Sequence, residues 1–572
     1  MNMTRLRLAA ALAAASLTVF AAAQEFDPGL RDAPFLRGFW ADAFNSGFKS
    51  TSQINSLISR AVTGRYNAIF VEVLAYHDRG SGGHGAYWNS AIVPKATDIS
   101  GGIDPLAVLV SQAHANGLEV HAWIVPFRVS STWPPNGNSL LAAHPEWLMV
   151  PQAALGGGPA KVGDVYVLDP GSPDVQEYLA SIVRELVTNY AIDGINLDYI
   201  RYTQTDAGYP ASSTYPGSTL ARYQARTGAT GTPPPTGNTA WNDWRRETIS
   251  ELIRRLRAEI PSVVSNPRQP LRFTADLICF GSAPANFTSS DAYNLHQNWK
   301  LWLEEGWLDA GMPMNYKREW DAGQAAMYRS WVNAALNWSG ARHIYAGQAN
   351  YLNPKAMSIT QLAYVINAGA EGSCNYSYVG TADEDMNGNW ESDWTWYSYV
   401  AANLFTAVAA TPAMPWRSPA TAVEGTVWGR VTEPDTGAPV DGATVTCGGR
   451  VITTDGNGYY VLTLVPAAPG GTSYTVTVTV PGCTTVNATG VVVLPGDIVR
   501  RDILVCGSTP IFGDMDLDFD VDRTDLNSFL FCHRGPDLTY AAGHFCTRGD
   551  SDGDRDVDLA DFAEFQLSFT GP

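Results

Sequence analysis

The segment DGINLDYIRY, Asp193 to Tyr202, decides the fold. Its alternation predicts a strand with Ile195, Leu197 and Tyr199 on one face and Asn196 and Asp198 on the other. An apolar face opposite a polar one that ends on a carboxylate suits a barrel stave whose tip reaches an open mouth. Arg201 follows close behind and places a cation near Asp198. Asp193 opens the strand in an Asp-Gly step and reads as a turn residue.

Seven runs of the same kind flank this one: 36–42, 66–74, 118–126, 272–280, 309–316, 343–351 and 372–378. Amphipathic helix patterns fall between them at 52–62, 105–116, 174–190, 241–259 and 358–368, with Asn116-Gly117 and Ala368-Gly369 closing two of them. Repeated strand–helix units require parallel strands with helical crossovers. Eight such units over this length predict a (β/α)8 TIM-type barrel within residues 24–415. An open doubly wound sheet is the alternative, but no Gly-x-Gly-x-x-Gly follows any strand.

Barrels of this type carry their chemistry at the C-terminal strand ends. Those ends offer Asp42, Glu72, His121, Trp123, Asn196, Asp198, Arg201, Asp276, Asn315, Tyr316, Gln348 and Asn375. Carboxylates among aromatic rings and planar amides suit a sugar, because glycosidic cleavage uses two carboxyl groups. Glu72 stands inside Val-Glu-Val, where a glutamate without a polar role would be costly. Asp198, Glu72 and Asp276 are therefore the catalytic candidates, and the other nine are substrate-binding candidates. Asn350 and Tyr376, also at strand ends, and the loop residues Tyr76, His77, His84, Tyr87, Trp88, Trp133, Trp147 and Trp320 add material for a groove, whereas His114 and His144 read as structural.

The formal net charge of -19, from 37 basic and 56 acidic residues, argues against nucleic acid or an anionic membrane as partner. Arg5 and Arg7, the apolar run 8–22 and the small residues before Gln24 read as a secretory signal over 1–23. The apolar run falls short of the ~20 residues a transmembrane span needs, and no later segment reaches it, so an exported protein, secreted or at the cell surface, is expected. Export permits disulfides, and Cys532 and Cys546 share one small module. Cys279 and Cys374 sit in apolar runs and read as buried thiols, and no Cys-x-x-Cys pair supports a zinc site.

Beyond a Pro-rich patch at 411–419, residues 424–505 turn to Val/Thr alternation with Asp-Gly turns, the pattern of a small antiparallel β-sandwich. Residues 511–572 then repeat an acidic register. Asp514, Asp516, Asp518, Asp522 and Asp525, then Asp550, Asp552, Asp554, Asp558 and Asp561, occupy positions 1, 3, 5, 9 and 12 of two loops. Oxygen donors at that spacing, each followed by an apolar helix, predict paired Ca2+ loops in a small α-helical module. Position 6 holds Phe519 and Arg555 instead of Gly, and position 12 holds Asp instead of Glu.

The order RGFW, YNAIFVEV, DPLAVLVSQAHANGLEVHAWI, LLAAHPEWL, VLDPGSPDVQEYLASIVRELVTNYAIDGINLDYIRY and NWKLWLEEGWLDAGMPMNYKR resembles the glycosyl hydrolase-like 10 family of exported bacterial proteins. The resemblance covers about Phe35 to Tyr378. It implies a barrel-fold glycosidase, with peptidoglycan glycan strands among the family's substrates. It places the key carboxylate at Asp198 and adds Glu72, Asn315 and Tyr316. Many members carry a second Asp where this chain has Tyr199, so the partner of Asp198 must come from another strand: Glu72 or Asp276. The Thr454–Tyr460 turn resembles the carboxypeptidase regulatory-like domain, and the acidic tail resembles a dockerin module, which implies a cohesin-like partner.

The expectation is a two-carboxylate glycoside hydrolase acting on a polysaccharide, with no cofactor for the hydrolysis itself. Carboxyl groups about 5 Å apart would retain configuration, and roughly 6.5–9.5 Å would invert it. The alternative is a non-catalytic carbohydrate-binding barrel in a surface assembly.

Overall fold

The computed structural model describes residues 33–434, 436–505, 512–516, 521–541 and 544–569. The secretory signal expected at 1–23, Cys506 and the expected ligand Asp518 lie outside the described residues.

Eight parallel strands close into a barrel: β1 (Leu36–Ala41), β2 (Ala68–Leu74), β3 (Glu119–Ile124), β4 (Gly194–Leu197), β5 (Arg272–Leu277), β6 (Ala310–Pro313), β7 (His343–Ala349) and β8 (Gly372–Tyr376). All eight expected runs are staves, and β1 pairs with both β2 and β8 to close the ring. Each run is shorter than its apolar pattern because the strand stops where the chain turns into a loop. The clearest case is the segment 193–202, where β4 ends at Leu197 and Tyr199 is left-handed at φ 49°.

The helices begin where capping chemistry permits. Ser50, Asp104, Ser172 and Asn238 accept backbone N–H bonds at the starts of Thr51–Thr63, Pro105–Ala115, Pro173–Asn189 and Thr239–Ser262. Pro105 and Pro173 occupy first-turn positions whose missing N–H costs nothing. The helices bury Leu57, Leu109, Ile182 and Leu252 against outward strand residues such as Ile69, Val120, Ile195 and Phe273. Inward residues alternate with these and fill the barrel: Leu36, Trp40, Ala68, Phe70, Trp123, Ala310, Met312, Tyr345 and Cys374.

The N-terminal end of the barrel is closed by ion pairs. Asp309, fully buried before β6, meets Arg257 at 2.8 Å, Arg417 at 3.2 Å and the Trp416 indole N–H at 2.7 Å. Arg272 reaches Glu119 at 3.3 Å and the carbonyl of Pro412 at 2.7 Å. Asp193 belongs to the same end, where it pairs with His114 at 2.8 Å and with Arg268.

A sheet the sequence pattern did not reveal is built from the segments that follow β3 and β4. Its strands, Arg128–Ser130, Tyr166–Leu168, Leu148–Pro151 and Ala207–Pro210, have only three or four residues each, too few for a period to show. It holds Arg128 near the barrel mouth.

Residues 424–504 form two antiparallel-rich sheets around Val427, Val445, Leu462, Val476 and Val493. They bind the barrel flank and base through Arg222–Asp441 at 2.8 Å, Arg342–Glu424 at 2.5 Å and Arg255 beneath Tyr459 at 4.4 Å. The tail has helices Arg523–Cys532 and Leu559–Ser568, and a Cys532–Cys546 disulfide ties the end of the first to the short helical turn Phe545–Gly549. Cys279, Cys374 and Cys447 are buried thiols. Among the described residues no helix is long and apolar enough to cross a membrane.

Candidate active site

Three carboxylates from β2, β4 and β5 meet at the C-terminal end of the barrel. Glu72, Asp198 and Asp276 are each at most 6 % exposed, and each raises or is raised by its neighbours' charge. The period-two alternation explains the convergence. Glu72 stands opposite Trp123 across β2–β3, and Trp123 opposite Asn196 across β3–β4. Asp276 follows two residues after Thr274, which stands opposite Asn196.

Each carboxylate is held differently. Glu72 accepts the Ala43 backbone N–H at 2.8 Å. Burial pushes its pKa up to about 8, with Asp42 and Asp198 adding to the rise. Asp198 accepts the Tyr199 N–H at 2.6 Å, a contact made possible by the left-handed turn at Tyr199. A bulky residue held in that region is strained, and here the strain lies immediately beside a candidate catalytic acid. Burial raises the Asp198 pKa, while Arg201 and Arg128 oppose the rise. Asp276 accepts from Asn196 Nδ2 at 3.0 Å, and Thr274 fixes that amide by donating to its carbonyl oxygen at 2.7 Å. Burial and then Asp198 drive the Asp276 pKa well above the carboxylate range. Its other oxygen has no partner among the described residues.

The surroundings are donors and rings. The indole N–H groups of Trp123 and Trp40 lie beside Asp198 and Asp276 and lower their pKa values. Both fall short of a hydrogen bond to any described residue. Arg128 and Arg201 lie 3.7 Å and 4.3 Å from the centre of the Tyr199 ring. On the other side, Trp40, Tyr316, Tyr351 and Tyr376 form an aromatic wall, with Tyr316 and Tyr376 ring centres 5.5 Å apart. Among the described residues, the exposed Phe and Trp side chains of the barrel are Phe44, Phe280, Trp320, Trp390 and Trp394. All five sit on loops that leave C-terminal strand ends, the face that carries the carboxylates.

Several residues expected at the site are turned elsewhere. Gln348 and Asn375 point outward from the barrel wall: Gln348 donates to Asn350 at 2.7 Å, and Asn375 accepts from the Tyr66 hydroxyl at 2.7 Å. Asn315 donates to the Tyr328 carbonyl at 2.8 Å. His121 lies one layer deeper than Glu72, stacked on Phe70 at 4.4 Å and bonded to Glu119 at 3.1 Å. Asp42 has inward parity but caps its own loop, accepting from the N–H groups of Phe44 and Asn45. Of the loop aromatics, His77, Tyr87 and Trp88 are buried packing residues. Trp40, Arg128, Tyr351 and the strand-end Tyr376 line the site, the first three without having been singled out. Parity identifies two of them, since Trp40 and Tyr376 are two residues beyond the inward Gly38 and Cys374.

In the tail, Asp514, Asp516 and Asp525 each bring an oxygen within 4.8 Å of the others, as do Asp550, Asp552 and Asp561. Asp522 and Asp558 cap the helices in reciprocal boxes with Asp525 and Asp561. Asp554 and Asp558 stay outside the second three-residue cluster, and Asp556, Asp558 and Asp561 form another.

Residues 426–505 match the carboxypeptidase regulatory-like domain, and residues 36–366 match the family described as glycosyl hydrolase-like 10. Glycosyl hydrolase DigH of Escherichia coli (strain K12) is 28% identical over 263 residues, which cover 40% of this chain and 52% of that protein. Glycosyl hydrolase YngK of Bacillus subtilis (strain 168) is 25% identical over 312 residues, covering 50% of this chain and 52% of that protein. The chain thus spans about half the length of these curated relatives. The PgaB (BpsB) glycoside hydrolase domain from Bordetella bronchiseptica superposes with a TM-score of 0.44 at 15% identity, covering 60% of this chain and 94% of that one. With more than half its length matched in one continuous span, the chain belongs to the glycosyl hydrolase-like 10 family.

Proposed function

We propose that the barrel is an exported glycoside hydrolase acting on a polysaccharide, with peptidoglycan glycan strands as the first substrate to test. The observation that carries this reading is the set of three buried carboxylates gathered at the C-terminal end of the barrel, each with its pKa raised by burial. Asp198, where Arg201 and Arg128 oppose the rise caused by burial, is assigned the role of base or nucleophile. Glu72, with a pKa near neutrality, is protonated at neutral pH and serves as the general acid to the glycosidic oxygen. Asp276 keeps its proton beside Asp198, and its unpartnered oxygen and the two free indole N–H groups are left to meet sugar hydroxyls. An oxocarbenium-like transition state gains from the adjacent negative charge of Asp198. The exposed rings around the mouth offer stacking faces for the flanking sugars.

The test is release of reducing ends from peptide-free peptidoglycan strands and from a panel of plant and algal polysaccharides. At least one polymer should be cut. Retention of polymers without any cleavage would favour the carbohydrate-binding alternative.

The sandwich, bound to the barrel flank and base, acts as a spacer. The tail aspartates fit a hard cation, because carboxylates converge in threes and, among the described residues, no His or Cys joins those clusters. Asp514, Asp516 and Asp525, then Asp550, Asp552 and Asp561, would hold Ca2+, with Asp518, Asp522, Asp554 and Asp558 completing the two loops and a cohesin-like protein as docking partner. Chelation with EDTA should lower the melting temperature of the tail transition, and added Ca2+ should restore it. At free Ca2+ a hundred times the dissociation constant, the restored stability is about 2.7 kcal/mol per site.

A further inference from the structure

A hollow of about 680 Å3 opens between the loops that follow β4 and β5. It is on the same barrel face as the carboxylates but outside their cluster. Its walls include Thr205, Asn242, Phe280, Asp291, Asn294 and His296. That volume lies within the ~300–1,000 Å3 typical of small-molecule sites.

The rim and the wall behind it differ in character. Phe280 is half-exposed at the rim, at 50 %, beside the amides and hydroxyls of the lining. His296 stands behind that lining. It is 1 % exposed, neither ring nitrogen has a partner among the described residues, and neither is open to the hollow. The residue is held at φ 63°, with its ring edge-on to Tyr202 at 4.9 Å. Burial, followed by Arg245 and Arg246, lowers its pKa to about 2, so the imidazole is neutral.

The walls are fixed before any ligand arrives. Buried Arg245 donates to the carbonyls of Thr205 at 3.0 Å and Thr236 at 3.3 Å, and to the Asn242 side chain at 2.5 Å. The hollow is also joined to the catalytic strand. Gln297, next to His296, donates to the Asp276 carbonyl at 3.0 Å and accepts from the Ile278 N–H at 2.8 Å. Around the ring, β5 lies opposite β1, whose loop carries exposed Phe44. A chain that enters over β5 and leaves over β1 crosses the carboxylates.

We infer that this hollow is a remote glycan subsite that binds one uncharged sugar unit, a hexose or N-acetylhexosamine, of a polymer being cut at the carboxylates. Phe280 supplies the stacking face, and the Thr205, Asn242 and Asn294 side chains bind the hydroxyls. Asp291 in the wall disfavours an anionic unit. The inference rests on the glycosidase reading, and makes the enzyme endo-acting.

The test uses the full chain carrying Asp198→Asn to stop turnover. Its affinity for peptide-free peptidoglycan strands and for a neutral β-glucan is measured with and without Phe280→Ala. Phe280→Ala should weaken binding of the retained polymer roughly three- to ten-fold, the scale of one lost aromatic contact. In the active protein the ratio of kcat/KM for polymer over trisaccharide should fall by the same factor. A folded Phe280→Ala variant with unchanged affinity would overturn the subsite and leave the hydrolase reading intact. Failure of the parent protein to retain either polymer would also overturn it. Phe280-dependent binding in a protein that cuts nothing would keep the subsite and remove the hydrolase reading.

Discussion

Asp198→Asn should reduce release of reducing ends by about 10³–10⁴-fold, near the upper end of what one acid–base group contributes. The replacement keeps the shape of the side chain and the contact with the Tyr199 N–H but removes the charge. Binding of glycan to the mouth should survive, because the indoles, Tyr316, Tyr376 and the two arginines remain. The fold should survive as well. The Asp198 pKa is raised by burial, so its ionised form costs stability once the pH exceeds the ordinary value of about 3.9. Removing that carboxylate relieves the cost at neutral pH. The melting temperature of Asp198→Asn should therefore match or exceed that of the parent, which separates lost chemistry from lost structure. Full activity in the variant would refute the assignment.

The second large effect concerns stability. Asp309→Asn should destabilise the barrel by about 3–5 kcal/mol, the cost of stripping one partner from a buried ion cluster. Arg257 and Arg417 would remain buried near the base with no counter-ion at that position. Burial opposes ionisation of Asp309, but Arg417 and Arg257 outweigh it and hold the carboxyl well below the usual range. A depressed carboxylate pKa gives stability that is complete above about pH 3.9 and is lost as the pH falls toward the folded value. Urea unfolding at pH 7 and pH 4 should show the full deficit of the variant at pH 7, narrowing only under more acidic conditions. Equal unfolding midpoints at pH 7 would mean the cluster contributes little.

How far the sequence disclosed this arrangement differs from residue to residue. The eight staves were legible because each buries an outward apolar row against helices, and that period survives in the sequence. Asp198, Glu72 and Asp276 were legible because acids within apolar strands are expensive unless they have a use. Gln348, Asn375 and Asn315 misled because position near a strand end says nothing of which face a side chain takes. Counting in twos from Gly38 and Cys374 selects Trp40, and selects Tyr376 over its neighbour Asn375. Arg128 could not be found this way. It reaches Tyr199 only because a sheet of three- and four-residue strands folds over β3 and β4, and so short a sheet leaves no periodic trace. The left-handed turn at Tyr199 is equally silent, since nothing in Asp-Tyr-Ile-Arg-Tyr requires it. The hollow beside His296 arises from two loops more than thirty residues apart in the chain, and no local pattern joins them.

If Glu72 holds the proton that Asp198 lacks, the pH dependence of kcat/KM for reducing-end release carries the signature of both groups. The parent enzyme should give a bell. Its acidic limb follows ionisation of the Asp198–Asp276 pair, and its alkaline limb follows loss of the Glu72 proton near the value of about 8. Glu72→Gln should lower kcat/KM by about 10²–10³-fold and abolish the alkaline limb, with the acidic limb kept. An alkaline limb that persists unchanged in Glu72→Gln would contradict the account and move the acid to Asp276.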